Sequence, residues 1–423
     1  MAGPTEYDDA GAGTARRATG QDALGQDATN SDMTDHRPLR GIRVIELSSF
    51  VASPLCGLTL AQLGAEVIRV DPPGGAADIS RLPVTAGGTS IYWTGLNKGK
   101  KSMVLDLRSD DGRARLRELI TESGDGGGIF VTNQAGRSWL SHEGMAELRP
   151  DLITVEILGR RDGRPGVDYT VNAALGFPEI TGPLDHAGVV NHALPAWDVA
   201  CGLYAALAVT AAIRDREKTG HGTHVTLPLD DVALSVSSAL GYLTEPQVNG
   251  VNRDATGNAV YGTYGTDFRT GDGERFMIVT LTPRHFADLV SLTQTGEAVG
   301  ALATALEADF SLDADRYRHR ELLTALFRPW FAARTGDEVA VELAATSVLH
   351  ERYGSFAETA AGDSVTANPL FAQLDQPGVG TYRAAAAPMA FDGRHLFVEP
   401  AVDPADIRAT ARSRDSTASR TGA

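Results

Sequence analysis

The residue with the clearest chemical potential is Asp198. A polar turn carrying Asn191, His192 and Pro195 runs into Trp197-Asp198, and an Ala-rich apolar segment, 199–213, follows. That segment is too long for an average strand, and alanine has the strongest helix propensity, so it reads as a helix. Arg214, Arg216 and Lys218 crowd its far end before Gly220, the charge and glycine pattern expected of a helix C-terminus. Asp198 is thereby placed at the helix N-cap. A carboxylate there has two readings. As a cap it accepts free backbone N–H bonds and contributes about 1 kcal/mol. As a nucleophile it is kept ionised and aimed by the same N–H groups and the helix dipole. Capping is the commoner role, and spacing alone does not choose.

A second candidate is cationic. Lys98, Lys100 and Lys101 precede a strand that runs through Leu105, Asp106 and Leu107 and ends in Arg108. The cluster is either a solvated basic turn or a seat for a polyanionic cofactor. Asn133 and Arg137 lie just beyond another strand, and Arg160 and Arg161 beyond a third.

The elements that must position these residues alternate. Strand 41–47, helix 54–63 and strand 65–70 form a βαβ unit, which requires a parallel sheet and a right-handed crossover. A helix at 112–122, a strand at 129–132, a helix near 139–148 and a strand at 151–158 continue the pattern. The expected fold is α/β, with an open parallel sheet whose ligands bind beyond the carboxyl ends of its strands. The turn after the first strand, 48–54, contains no GxGxxG, which disfavours a nicotinamide dehydrogenase.

Composition narrows the class. A chain of 423 residues with 42% hydrophobic content can bury a large core and make two domains. A net charge of −16 argues against a nucleic-acid partner, since phosphate backbones need an excess of cations. No uninterrupted apolar run is expected to cross a membrane and no signal peptide opens the chain, so a cytoplasmic enzyme is expected. Cys56 and Cys201, in small apolar contexts, read as buried thiols. No metal-ligand spacing is present.

Residues 1–37 carry almost no large apolar side chains and are expected to be a disordered tail, with Met33 a second candidate start. Residues 38–226 and 348–400 are assigned to the large domain and 227–347 to a smaller α+β domain. Its hairpin turn is expected at Asp272-Gly273. From about Val348 the chain is expected to be loop-like, and 401–423 to be a disordered polar tail with no C-terminal helix.

The ordered set LRGIRVIEL, LAQLGAEVIRVDPP, LNKGKKSMVLDL, LPAWDVACGLYAAL and TGHGTHVTLPLDDVAL resembles the family III CoA-transferases across about residues 39–390. Within that family, GRRDG, VDYTVN, VVNHALPAWD and GNAVYGTYGTDF look most like the branch acting on mesaconyl-CoA (2-methylfumaryl-CoA). The resemblance implies a Rossmann-like large domain with a smaller domain inserted, an interlocked homodimer, and coenzyme A as a thioester substrate without a prosthetic group. It assigns Asp198, in its Asp-x-x-x-Gly context with Gly202, as the catalytic nucleophile. It assigns Ala52, Leu105, Asp106, Leu107, Arg108, Asn133 and Arg137 as CoA contacts, beside the lysine candidates Lys100 and Lys101. Pro72 departs from an arginine found in some members, and only Gly257-Asn258 remain of a glycine loop.

The implied reaction is attack of Asp198 on an acyl-CoA, giving an aspartyl–acyl anhydride and then an aspartyl–CoA thioester. For mesaconate, with its carboxyls trans across a double bond, transfer from C1 to C4 requires the freed diacid to turn over in the pocket. Arg160, Arg161, Asn191, His192 and the Gly257-Asn258 loop are the candidates to hold its carboxylates. Intermolecular transfer to a free acid is the alternative, with a non-catalytic CoA-binding protein more remote. Racemisation is disfavoured because Val167 stands where the racemase branch has a histidine, and Asp168 is left a structural role.

Overall fold

Nearly continuous burial along the early strands requires cover on both faces of a sheet, and the chain supplies it from two sets of helices. The computed structural model describes residues 37–134, 136–186 and 188–418; the expected N-terminal tail lies outside the described residues, save Arg37. The first elements are β1 (Arg43–Leu47), α1 (Ala52–Gln62), β2 (Glu66–Asp71), α2 (Ile91–Asn97), β3 (Lys101–Val104), α3 (Asp110–Thr121), β4 (Ile129–Thr132), α4 (His142–Ala146) and β5 (Ile153–Leu158). Then follow α5 (Asp168–Ala173), α6 (Phe177–Ile180), α7 (Ala196–Thr219), β6 (Thr223–Pro228) and α8 (Leu229–Ala239).

The six strands form one parallel sheet in the order β3-β2-β1-β4-β5-β6. The chain winds outward through β2 and β3 on one side of β1, then returns to build β4, β5 and β6 on the other. A crevice must open where the winding reverses, between the carboxyl ends of β1 and β4. One face packs Val44, Val67, Val131 and Val155 against Cys56 and Leu60 of α1 and Cys201, Ala205 and Val209 of α7. The other packs Ile45, Leu47, Val70 and Phe130 against Leu116, Leu119 and Ile120 of α3 and Met145 of α4. Both cysteines are free and buried.

Helix α7 corrects one expectation: it is long and apolar enough, by length and composition, to cross a membrane. Asp198 in its first turn and the charges of its last turns hide that length in a scan for uninterrupted apolar runs. Here it is a core helix, with Leu203, Tyr204 and Leu207 left exposed along one stripe.

The later elements are α9 (Thr244–Asn249), β7 (Tyr264–Arg269), β8 (Arg275–Thr280), α10 (Pro283–Leu292), α11 (Gly296–Leu306), α12 (Asp313–Arg318), α13 (Arg320–Ala332), α14 (Gly336–Ala344) and β9 (Leu349–Arg352). Antiparallel β7-β8-β9 and these helices enclose a separate aromatic core around Tyr264, Phe276, Phe286, Phe327 and Phe331. The expected edges of this unit shift. Leu229, Val232 and Ala233 of α8 belong to the first core, because α8 follows β6 directly and lays its apolar face on α7. Strand β9 extends the second sheet past residue 347.

The C-terminal stretch is not loop-like. After α15 (Phe356–Ala361) and α16 (Asp363–Thr366), β10 (Phe371–Gln376) and β11 (Gly380–Ala385) form an antiparallel hairpin around Pro377-Gly378. The short strands β12 (Ala390–Phe391) and β13 (Arg394–His395) pair next, and α17 (Pro404–Ala418) replaces the expected tail. Pro404 opens that helix, Asp403 accepts the Ala405 N–H at 2.8 Å, and Ile407 is buried beside Ile79 and Trp93. One buried isoleucine per few turns is too sparse a pattern to mark a helix from composition.

Candidate active site

The crevice at the reversal of winding holds a cavity of about 390 Å³. Its walls come from the β1–α1 turn (Ser49 to Ala52), Arg81 and Leu82 of the loop after β2, Tyr92 of α2, and Asn133 beyond β4. The end of β5, Gly166 to Tyr169, and Asp198 complete them. Asn133 ties the two strand ends together: its Nδ2 donates to Ser49 O at 2.8 Å and its Oδ1 accepts from Ser49 N at 3.2 Å.

Asp198 is in this cavity, but it is not the cap of its helix. Helix α7 begins at Ala196 after Pro195, which makes Asp198 its third residue. The capping work is done from 30 residues away. Asp168, almost wholly buried, accepts from Trp197 N at 2.7 Å and from Asp198 N at 3.1 Å through Oδ2. Its Oδ1 lies 2.6 Å from His192 Nε2. Asp198 is thus relieved of a structural hydrogen-bonding duty. Burial and the neighbouring charge of Asp168 push its carboxyl up to about 6, with Arg81 opposing the rise.

Gly202 explains how α7 comes so close to the turn. A Cβ there would lie 2.6 Å from Ala52 O, so any side chain would force apart the crossing that sets Asp198 beside the first turn of α1. That first turn has no side-chain cap, so no capping side chain engages the N–H groups of Ala52 and Ser53 beside the Asp198 carboxylate. Gly159 and Gly166 meet equally closely on the opposite wall, where a Cβ on Gly159 would lie 2.3 Å from Gly166 N.

Of the expected CoA contacts, Ala52 and Asn133 line the cavity. Leu105 to Arg108 lie beyond the carboxyl end of β3, where Arg108 Nε donates to Asp106 Oδ1 at 3.0 Å. Arg137 lines a second cavity of about 320 Å³ with the stacked imidazoles of His142 and His224. The two lysines have protein partners. Lys100 is buried, with Nζ 2.9 Å from Glu46 Oε2, 2.8 Å from Pro54 O and 3.0 Å from Asn97 Oδ1. Burial lowers its pKa against the pull of Glu46. Lys101 pairs with Glu66. Lys100 precedes β3 and Lys101 opens it, whereas the ligand edge of a parallel sheet lies after its strands.

None of the expected carboxylate-binding residues lines the Asp198 cavity. Arg160 donates to Thr170 O, and Arg161 pairs with Asp231. Asn191 accepts from Asn172 Nδ2 at 2.5 Å, and Asn258 donates to Asp267 at 3.0 Å. Gly257 faces Leu184. His192 is engaged by Asp168, so an imidazole does approach the Val167-Asp168 corner, from a different part of the chain.

What sequence reasoning missed is the loop after β2. Arg81 contributes the cavity's cation, its guanidinium 5.5 Å from the Phe50 ring centroid and 5.1 Å from that of Tyr92. The loop is anchored by Asp78, buried, which accepts from Phe50 N at 2.9 Å and from Arg69 at 3.2 Å. Phe50 is held at φ 65°, an unusual conformation for an aromatic residue. The available signal was a solitary arginine in a Gly- and Pro-rich loop directly after a strand.

Comparison with known proteins gives a consistent answer. The model of CoA-transferase family III matches residues 39–405. The chain is 44% identical over 367 residues to 2-methylfumaryl-CoA isomerase of Chloroflexus aurantiacus, covering 86% of this chain and 90% of that protein. It is 28% identical to succinyl-CoA–D-citramalate CoA-transferase of the same organism, over 72% and 75% of the two chains. Among solved structures, a CAIB/BAIF family protein from Brucella suis superposes with a TM-score of 0.72 at 25% identity, covering 90% and 99%. A match running from before β1 into α17 leaves one conclusion: the chain is an enzyme that belongs to CoA-transferase family III.

Proposed function

We propose that the enzyme moves coenzyme A from C1 to C4 of 2-methylfumarate (mesaconate) within one active site. The observation that carries the reading is Asp198: a carboxylate freed from capping, lining a cavity beside an uncapped helix N-terminus. The identity to 2-methylfumaryl-CoA isomerase supports the substrate.

Asp198 attacks the C1 thioester carbonyl, forming a mixed anhydride and releasing CoA thiolate. The thiolate attacks the aspartyl carbonyl, giving an aspartyl–CoA thioester and free diacid. The diacid turns, and its C4 carboxylate attacks the aspartyl thioester to form a second anhydride and thiolate. Attack of the thiolate on the C4 carbonyl yields the isomeric thioester and restores Asp198. The N–H groups of the first turn of α1 stabilise the oxyanions. Ala52 and Asn133 meet the acyl end of CoA, and Leu105 to Arg108 and Arg137, at the same edge of the sheet, follow its remaining length. We assign residues up to about 240 and the C-terminal stretch to the large domain, with the β7-β8-β9 unit inserted. The exposed α7 stripe supports a homodimer, and the free buried thiols of Cys56 and Cys201 suit the cytoplasm.

The test combines trapping with exchange. Hydroxylamine added with C1-mesaconyl-CoA should modify the peptide carrying Asp198, and Asp198→Asn should abolish turnover while CoA binding survives. Labelled free mesaconate should enter the product slowly. Rapid entry would indicate intermolecular transfer, and full activity of the Asn variant, checked for deamidation, would remove the nucleophile.

A further inference from the structure

The turning diacid leaves a physical problem that the residues around Asp198 solve only in part. While one carboxyl is bonded to Asp198 or to CoA, the other is a free carboxylate in a partly dry cavity, beside Asp168 and close to Asp198. Without a cation to receive it, that charge would be repelled.

We propose that Arg81 and Tyr92 form the receptor for the free carboxylate of a dicarboxylyl-CoA, and that this receptor makes the enzyme select diacids over monoacids. The inference rests on the proposed CoA transfer at Asp198. Arg81 lines the same cavity as Asp198 and forms no salt bridge among the described residues. Its guanidinium is held instead by the faces of Phe50 and Tyr92, which leaves its N–H fork available for a bidentate carboxylate.

Tyr92 is the second observation. Its hydroxyl is buried and has no hydrogen-bond partner, an arrangement that costs stability unless a ligand supplies an acceptor. Burial also pushes the phenol up to about 12, so it keeps its proton and remains a donor near neutrality. A planar carboxylate between the guanidinium and the phenol would satisfy both.

The receptor is built rather than loose. Arg81 N donates to Asp78 O at 3.0 Å, and Ser90 Oγ donates to Arg81 O at 2.5 Å. Asp78 is in turn fixed by Arg69. Preorganisation of this kind reduces the ordering cost of binding. It also suits a diacid that must present its two ends in succession, since the site offers one nucleophile and one receptor. Whichever carboxyl is at Asp198, the other reaches Arg81.

The experiment compares mesaconyl-CoA with 2-methylcrotonyl-CoA, in which a methyl replaces the distal carboxylate. Acylation of Asp198 is followed by hydroxamate formation in the full-length enzyme. Arg81→Gln should lower kcat/KM for mesaconyl-CoA by about 100-fold or more and leave 2-methylcrotonyl-CoA within about threefold. Arg81→Lys should retain an intermediate rate, and Tyr92→Phe should cost about tenfold on the diacid alone. Equal losses on both thioesters, or no loss on mesaconyl-CoA, would overturn the receptor. Equilibrium binding of free mesaconate, measured against 2-methylcrotonate, separates this from the fate of Asp198. Weakened mesaconate binding in Arg81→Gln supports the receptor even if no adduct forms at Asp198, and unchanged binding overturns it even if turnover is lost.

Discussion

Two groups of ionisable side chains lie within one loop of each other and behave in opposite ways. Beneath the loop after β2, Glu46, Arg69, Asp71, Asp78 and Lys100 are buried and densely paired: Arg69 reaches Asp71 at 3.0 Å and Asp78 at 3.2 Å, and Lys100 reaches Glu46. Above it, Asp198, Arg81 and Tyr92 share a cavity with their polar atoms largely uncommitted. Charges with partners hold the loop in place; charges without them await a ligand. The lysine run attracted notice because its sequence is conspicuous, yet its buried member belongs to the first group. The cation of the second group comes from a stretch that looks featureless.

The comparison breaks most visibly at Lys100. Lys100→Ala removes the nearest cation from buried Glu46, leaving it Arg69 at 3.7 Å and the Ser48 hydroxyl, and should destabilise the protein by about 3 kcal/mol in urea unfolding. The KM for acyl-CoA of the folded fraction should stay unchanged. A raised KM at unaltered stability would return Lys100 to the CoA site.

A smaller effect of opposite sign is expected at Asp198. Its carboxyl is raised to about 6 in the folded chain, so between the unfolded value and pH 6 the native state binds the extra proton and stability falls as pH rises. Above pH 6 the penalty is fully present; below about pH 4 both states are protonated and it disappears. Asp198→Asn should therefore be more stable than the parent by about 1–3 kcal/mol at pH 8 and nearly equal at pH 4. Urea melts at the two pH values measure the difference, and equal stability at pH 8 would deny that the carboxylate is held against its preference.

The smallest effect sharpens the contrast. Lys101→Ala removes an exposed partner of Glu66 and should change stability by less than about 0.5 kcal/mol. It should leave the KM for acyl-CoA within about twofold, since the side chain is remote from the carboxyl edge of the sheet.

Local pattern made much of the molecule legible. The βαβ alternation gave the sheet, the apolar run 199–213 gave α7, and the resemblance singled out Asp198. What escaped depends on pairs distant in sequence. That Asp198 is not its own cap follows from Asp168, 30 residues earlier. The burial of Lys100 follows from Glu46, 54 residues earlier. Arg160, Arg161, Asn191 and His192 looked available because their partners cannot be read from their neighbours. Helix α17 was missed for a related reason: its one clear anchor, Ile407, packs with Ile79 and Trp93.

The delegation of capping to Asp168 has an evolutionary consequence. Where a nucleophile also holds its helix, any change of chemistry at that position must first survive a loss of folding. On the proposed reaction the two tasks belong to different residues, so position 198 can accept Asn, Ser or Glu while the N–H groups of residues 197 and 198 keep Asp168 as their acceptor. A lineage could explore new reactions at that site, or lose its reaction altogether, without passing through an unfolded ancestor. The same freedom makes position 198 a practical starting point for redesign, with Asp168 the residue to leave alone.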